Sequence, residues 1–406
     1  MRRVVFAVPY AMESTLRFLR AALEVPEAVV GVVSQEEASR LPAELRARLA
    51  GHLRVPDMLD ARALEAGVRR LGAGLGGVDR LLGILEQLQE PMAEVRERLR
   101  IPGMGVEEAR NFRDKARMKD LLRQHGLPCA GHGLARSRDE ALALAEEIGF
   151  PLIVKPPAGA GARQTFRVED AVQLQAALRA WPVQAGEPVL LEEFITGREH
   201  SFDSVSLHGR HLFHSISVYS PTPLEVVEQP WLQWAVLLPR DISGPEFEDI
   251  RRAGPAALDV LGMVTGMTHM EWFRRTDGSL AISEVAARPP GAQFTSLLSW
   301  AHDRDFYRVW AELQIHERFE PPPRLYAAGA VYLRGQGGRA VAGVRGFEEL
   351  RRELGDLVVE GRLPRPGQPR STGYEGEGYL ILRHPETRAV EEGMRRILER
   401  VKVETV

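Results

Sequence analysis

Short apolar runs alternate with helically spaced ones in the first part of the chain: residues 4–8 read as a strand, 14–23 as a helix and 29–33 as a second strand. That is a βαβ beginning. The Gly-x-Gly-x-x-Gly turn that would cradle a dinucleotide is missing after the first strand, so the nucleotide site is expected elsewhere, and the glycines of 72–77 read as a loop. A helix is predicted over about 81–99. The breakers Ile101-Pro102-Gly103-Met104-Gly105 then suit a domain boundary.

The pattern changes to mixed α+β beyond that point. Asn111 and Asp114 have the N-cap and N3 spacing of a helix that stops at Gly126, and a second helix is expected over 138–147. Apolar runs at 151–154, 189–191, 202–207 and 212–218 read as strands. Pro321-Pro322-Pro323 reads as a linker, after which strand character resumes at 327–333 and a helix over 386–401 closes the chain. No internal repeat is seen.

Bulk composition narrows the function. A length of 406 residues exceeds what one hydrophobic core usually supports, so two or three domains are expected. The net charge of −3 is spread without long blocks of one sign, which argues against nucleic-acid tracking or an anionic membrane surface. No apolar run approaches the roughly 20 residues that span a bilayer. The one cysteine, Cys129, has no internal partner, and the N-terminus turns polar too early for a signal peptide, so a reducing cytoplasm is expected.

The sharpest physical signal is a hairpin, residues 267–275 and 280–288 about an Asp277-Gly278 turn. A two-residue turn sets Glu271 opposite Glu284, with Cβ atoms about 4.5–5.5 Å apart. Two facing carboxylates repel, so a shared proton, a cation or a divalent metal should offset the cost, and magnesium suits oxygen ligands. The same face continues through Ala286 to Arg288. Hairpin geometry alone fits an exposed turn with solvated charges equally well.

Other segments supply matching chemistry. Lys155 ends an apolar strand and precedes the small-residue loop 156–163, which includes Gly161 and could bring backbone N–H groups close to phosphate oxygens. Lys115 stands in a first helical turn, where a cation opposes the dipole unless an anion lies nearby, and Lys119 follows one turn later with a weaker claim. The strand exit Glu192-Glu193-Phe194-Ile195 could offer the Glu192 carbonyl and Ile195 N–H to a purine edge, while Glu199 could accept from ribose hydroxyls as an ionised group. Each lysine taken singly also fits an ordinary solvated side chain, and the strand exit a charged hinge.

Asp114-Lys115, Val154-Lys155-Pro156, Glu192 to Ile195 with Glu199, Glu271, and Glu284 followed by Arg288 occur in an order that resembles the ATP-grasp superfamily, over about residues 111–307. The resemblance implies a three-domain α+β and α/β architecture. A Rossmann-like N-terminal domain would occupy residues 1–107, the ATP-grasp domain 108–318 with a lid at about 122–196, and a C-terminal α/β cap 319–406. It further implies that Lys115 and Lys155 bind ATP phosphates beneath the Gly161 loop, that Glu192, Glu193, Phe194 and Ile195 hold adenine, and that Glu199 holds ribose. Glu271 and Glu284 would ligate Mg2+, or Mn2+ in its place, and Arg288 would be the catalytic cation that stabilises the transferring phosphoryl group. The implied reaction is ATP-dependent carboxylate–amine or carboxylate–thiol ligation through an acyl phosphate, on small-molecule substrates, in a chain compatible with a homodimer.

One departure bears on this expectation. The family commonly has Asn two residues after the second glutamate, whereas this chain has Ala286, which cannot ligate. A nucleotide-binding regulatory protein without turnover is therefore one alternative, and the resemblance itself leaves a biotin-carboxylase-like bicarbonate-activating enzyme as another. His208, His211 and His214 around the Gly209-Arg210 turn read as solvated imidazoles rather than a zinc site, and Cys129 as a small apolar filler.

Overall fold

The computed structural model describes residues 1–159, 165–180, 183, 187–229 and 231–406. The N-terminal part is a four-stranded parallel sheet, β1 (Arg2–Val8), β2 (Ala28–Ser34), β3 (Gly51–Arg54) and β4 (Arg80–Leu82), in the order β3-β2-β1-β4. Alternation along β1 explains its unbroken apolar run: Val4, Phe6 and Val8 enter one core, Val5 and Ala7 another, so both faces are covered. The stretch expected as one helix over 81–99 is β4 followed by a turn and the helix Gln89–Leu99. The glycines expected in a loop partly belong to the helix Ala61–Leu75, which reaches past Gly72 and Gly74 because their neighbours Leu71 and Val68 are buried and Gly76 ends it at φ 76°.

A second sheet is antiparallel and four-stranded, β5 (His132–Ala135), β6 (Leu152–Lys155), β7 (Phe166–Val168) and β8 (Val189–Glu193), ordered β5-β8-β6-β7. The helices Arg138–Ile148 and Ala171–Ala180 supply Ala141, Ala145, Leu174 and Leu178 to its apolar face. In front of it, the helix Lys115–Gln124 is capped by Asp114, whose carboxylate accepts from Ala116 and Arg117 N–H. Asn111, expected to be the cap, lies inside the preceding helix Val106–Arg113, because the chain re-caps one turn later.

The largest sheet has eight strands. In chain order these are β9 (Gly197–Leu207), β10 (Arg210–Ser220), β11 (Ala235–Leu238), β12 (Gly266–Arg275), β13 (Leu280–Ala286), β14 (Ala327–Leu333), then β16 (Val358–Arg362) and β17 (Gly378–His384). A separate pair joins β15 (Val341–Arg345) to β18 (Lys402–Thr405). The order β13-β12-β9-β10-β11-β14-β17-β16 carries the strands after Pro321-Pro322-Pro323 into the same sheet as those before it. One face of its first strands, with Phe202, Met270, Trp272, Ile282 and Val285, is buried on the helix Glu248–Leu261. The opposite face presents Glu199, Asp203, His269, Glu271, Glu284 and Ala286.

The β12–β13 register brings Glu271 opposite Glu284, as the sequence predicts, by a different route. The turn is a three-residue loop, Thr276-Asp277-Gly278: Arg275 N–H donates to the Ser279 carbonyl at 2.9 Å and Gly278 takes φ 85°. That shifts the pairing by one, and Trp272 meets Ile282. A bulge at Ser283 then inserts one residue and restores the alignment of the two glutamates.

Candidate active site

Ten of the residues singled out in the sequence line one cavity of 390 Å3: Lys115, Lys155, Glu192, Glu193, Phe194, Ile195, Glu199, Glu271, Glu284 and Arg288. That volume lies within the roughly 300–1,000 Å3 usual for ligand pockets. The cavity opens between the two antiparallel sheets. Gly161 falls outside the described residues, whereas Gly159 and Thr165 on either side of that stretch line the cavity.

The facing carboxylates are not left to repel each other. Lys115 Nζ lies 2.8 Å from Glu284 Oε1 and donates also to the Gly159 carbonyl at 3.0 Å. Burial opposes ionisation of Glu284, but Lys115 and Lys155 outweigh it and hold the carboxyl below its ordinary range. Glu271 looks toward His269, whose Nε2 is 3.7 Å from Oε1. His269 in turn places Nδ1 2.6 Å from Asp203. Burial works against the imidazolium, yet Asp203 and Glu271 lift His269 to about 9. Ala286 sits directly across the strand pair from His269, so the position where the family commonly has an amide faces an imidazole here.

Glu192 plays a different part from the one expected. Its buried carboxylate lies 2.7 Å from Lys155 Nζ and 3.0 Å from Lys119 Nζ, which also donates to the Ser283 carbonyl. Burial disfavours its charge, but the two ammonium groups win and hold it at about 2. Its carbonyl is committed as well. Phe194 N–H donates to Pro151, and antiparallel alternation makes Ile153 and Glu192 the next hydrogen-bonded pair. Ile195 N–H finds no acceptor among the described residues, so the outward-facing polar edge comes from Ile195, with the Glu193 carbonyl its nearest non-ladder companion. The Glu193 carboxylate turns away to Arg275, 3.0 Å from Nη2, and Phe194 lies under the Arg167 guanidinium, 4.1 Å from ring centroid to Cζ.

Glu199 is buried, and burial together with Glu271 pushes its pKa well above the ordinary range. Arg288 donates through Nε to Glu86 at 2.6 Å and through Nη1 to the Pro289 carbonyl at 3.0 Å, which leaves Nη2 of its fork for a ligand.

Lys119, which is 0 % exposed, belongs to the site more firmly than its sequence context suggests, and Glu86, His269 and Asp203 join it without being marked by any local pattern. Lys119 had a signal: it stands four residues after Lys115 on one helix face. Glu86 had none, because its partner is 202 residues away. The histidines around Gly209 do not assemble a site. His211 bonds to Ser206 and Asp259, His214 stacks on Phe202, and no cluster of metal-holding residues occurs among the described residues. Two carboxylates do not make a protein cage, but oxygen donors of that number fit magnesium, which usually completes its shell with phosphate and water.

Comparison with known proteins agrees with this geometry. Residues 120–297 match the family model of the ATP-grasp domain. An L-arginine-specific L-amino acid ligase of Bacillus subtilis is 26 % identical over 204 residues, 49 % of this chain and 48 % of the relative. A D-alanine–D-alanine ligase of Frankia casuarinae is 31 % identical over 196 residues, 46 % and 50 % of the two chains. The chain thus spans about half or less of the length of these curated relatives. Among solved structures, L-amino acid ligase from Bacillus licheniformis superimposes with a TM-score of 0.81 at 20 % identity, covering 100 % of this chain and 99 % of that one. N5-carboxyaminoimidazole ribonucleotide synthetase from Thermotoga maritima gives 0.70 at 16 %, covering 100 % of both. Residues 120–297 thus match the ATP-grasp domain, and the chain shares its overall fold with that L-amino acid ligase and that N5-carboxyaminoimidazole ribonucleotide synthetase.

Proposed function

We propose that the protein is an ATP-dependent carboxylate–amine ligase that activates its acid as an acyl phosphate. The observation that carries this reading is the convergence of Lys115, Lys155, Glu271, Glu284 and Arg288 on one cavity that the strand exit 192–195 also lines. Ile195 N–H and the Glu193 carbonyl would take the adenine edge, and Glu199 the ribose. Lys115 and Lys155 would meet the phosphates, exchanging part of their present pairing with Glu284 and Glu192 for phosphate oxygens. Glu271 and Glu284 would hold magnesium, which when bound neutralises phosphate charge.

In the first step a carboxylate oxygen of the acid attacks the γ-phosphorus and the bond to ADP breaks. The free Nη2 of Arg288 would steady the equatorial charge. In the second step the amine nitrogen attacks the acyl carbon, the carbon–oxygen bond to phosphate breaks, and the amine proton leaves to solvent. The three-part division at 107 and 318 is part of the same proposal, with the cut at 318 crossing a continuous sheet. A cytoplasmic setting fits an ATP-consuming reaction. No helix among the described residues is long and apolar enough to cross a membrane.

Hydroxylamine supplied with ATP, magnesium and a panel of carboxylic acids tests the reading. A hydroxamate and one phosphate per turnover are expected for at least one acid. ATP bound intact across the panel would leave only a nucleotide-binding protein, and ADP formation confined to bicarbonate would move the reaction to carboxylation.

A further inference from the structure

Part of the same cavity forms an aromatic chamber. Tyr219 on β10, Trp234 just before β11, Phe294 at the start of the helix Phe294–His302, and Tyr374 in the loop before β17 all line it. These rings touch one another. Trp234 meets Tyr374 edge-on with centroids 4.6 Å apart, Tyr219 packs on Trp234 at 5.4 Å, and Phe294 lies 5.6 Å from Tyr219. Gly291 and Ala292, between Arg288 and Phe294 in sequence, also line the cavity and add little side-chain bulk.

Charged groups stand beside these rings, but in pairs: Glu271 lies 3.7 Å from Nε2 of His269, whose ring meets Phe294 with centroids 5.2 Å apart. The Glu225 carboxylate is committed to Thr222, accepting from its N–H at 2.8 Å and its hydroxyl at 3.0 Å. His269 is held by Asp203, and Arg288 is held by Glu86 through Nε, with Nη2 kept for the acid's carboxylate. A charged substituent among these rings would lose its hydration without gaining a counter-ion, whereas an apolar or aromatic one exchanges water for ring faces.

Resting on the ligase reading above, we infer that the acid activated beside Arg288 carries an uncharged aromatic or bulky apolar side chain, seated among Tyr219, Trp234, Phe294 and Tyr374. The carboxylate points to Arg288 and the nucleotide end, and the side chain fills the aromatic chamber. A charged side chain there would lose its hydration among groups that already have partners.

Binding tests this without turnover. Phenylalanine, leucine, alanine, aspartate and lysine are titrated calorimetrically into the protein holding ADP and magnesium. Phenylalanine and leucine are expected to bind about tenfold or more tightly than aspartate and lysine, the discrimination a hydrophobic pocket supplies. Trp234→Ala should weaken phenylalanine by about tenfold and alanine far less. Because Trp234 is buried, Tyr374→Ala, in a loop, is measured beside it and should change selectivity in the same sense. Aspartate or lysine binding as tightly as phenylalanine, or folded variants with unchanged selectivity, would overturn the inference. Selective phenylalanine binding with neither hydroxamate nor phosphate release keeps the aromatic seat and removes the ligase reading. Hydroxamate formed fastest from aspartate or lysine does the reverse.

Discussion

The Glu86 carboxylate lies 2.6 Å from Nε of Arg288, so a residue of the N-terminal parallel-sheet unit fixes the cation at the centre of the cavity. Arg113 stands 3.7 Å from the same carboxylate and helps to hold it. If Glu86 positions Arg288, Glu86→Gln should lower kcat by about 10- to 100-fold, the penalty for a displaced reacting group. The KM for ATP should change little, since Glu86 does not line the cavity. Partial rescue by Glu86→Asp, seen in steady-state kinetics, separates positioning from general loss of structure.

Glu271 and Glu284 face each other across β12 and β13 on the cavity side of the sheet. Either one changed to Gln should cost about 100-fold or more in turnover, as loss of a charge-stabilising group does, and should raise the magnesium concentration needed for half activity. Circular dichroism should show the fold intact, because both side chains face the cavity and not the Trp272 core. Wild-type rates in both variants would remove these residues from the site.

Arg288→Lys offers a separate check on how the cation acts. Lysine keeps the charge but loses the planar fork that lets Nε bind Glu86 while Nη2 remains free. Turnover should fall by about 100-fold while nucleotide affinity, measured by fluorescent ADP displacement, stays within a few-fold.

Glu192 is a buried anion between two lysines, and removing its charge strands both. Glu192→Gln should destabilise the protein by about 3–5 kcal/mol at neutral pH, the cost of breaking a buried ion pair. The folded carboxyl is depressed to about 2 from an ordinary 4.5, so its contribution is fully present above 4.5 and is lost as pH falls toward 2. Denaturant melts of wild type and variant should therefore converge over that acid window. A gap that stayed constant down to pH 2.5 would contradict the pairing.

Much of the site could be read from local pattern, and its gaps have physical causes. Glu271 opposite Glu284 emerged from turn arithmetic, but a longer loop and the Ser283 bulge cancelled, and neither leaves a mark in hydrophobic spacing. Asn111 and Asp114 are both good caps, and only tertiary contacts decide that the second begins the helix. Lys119 reads as a surface lysine because its partner, Glu192, arrives from another sheet. The same holds for Glu86, and for the aromatic chamber, whose rings come from four separated segments. Strand β14 was legible to the residue, but not its membership of the sheet that contains the carboxylates.

The central claim, direct phosphorylation of a carboxylate in this cavity, is tested most directly by the fate of carboxylate oxygen. An acid that supports turnover is labelled with 18O in its carboxyl group and the released phosphate is analysed by mass spectrometry. Transfer of one labelled oxygen to phosphate per amide formed is predicted. Phosphate that carries no label, with amide still produced, would contradict the account.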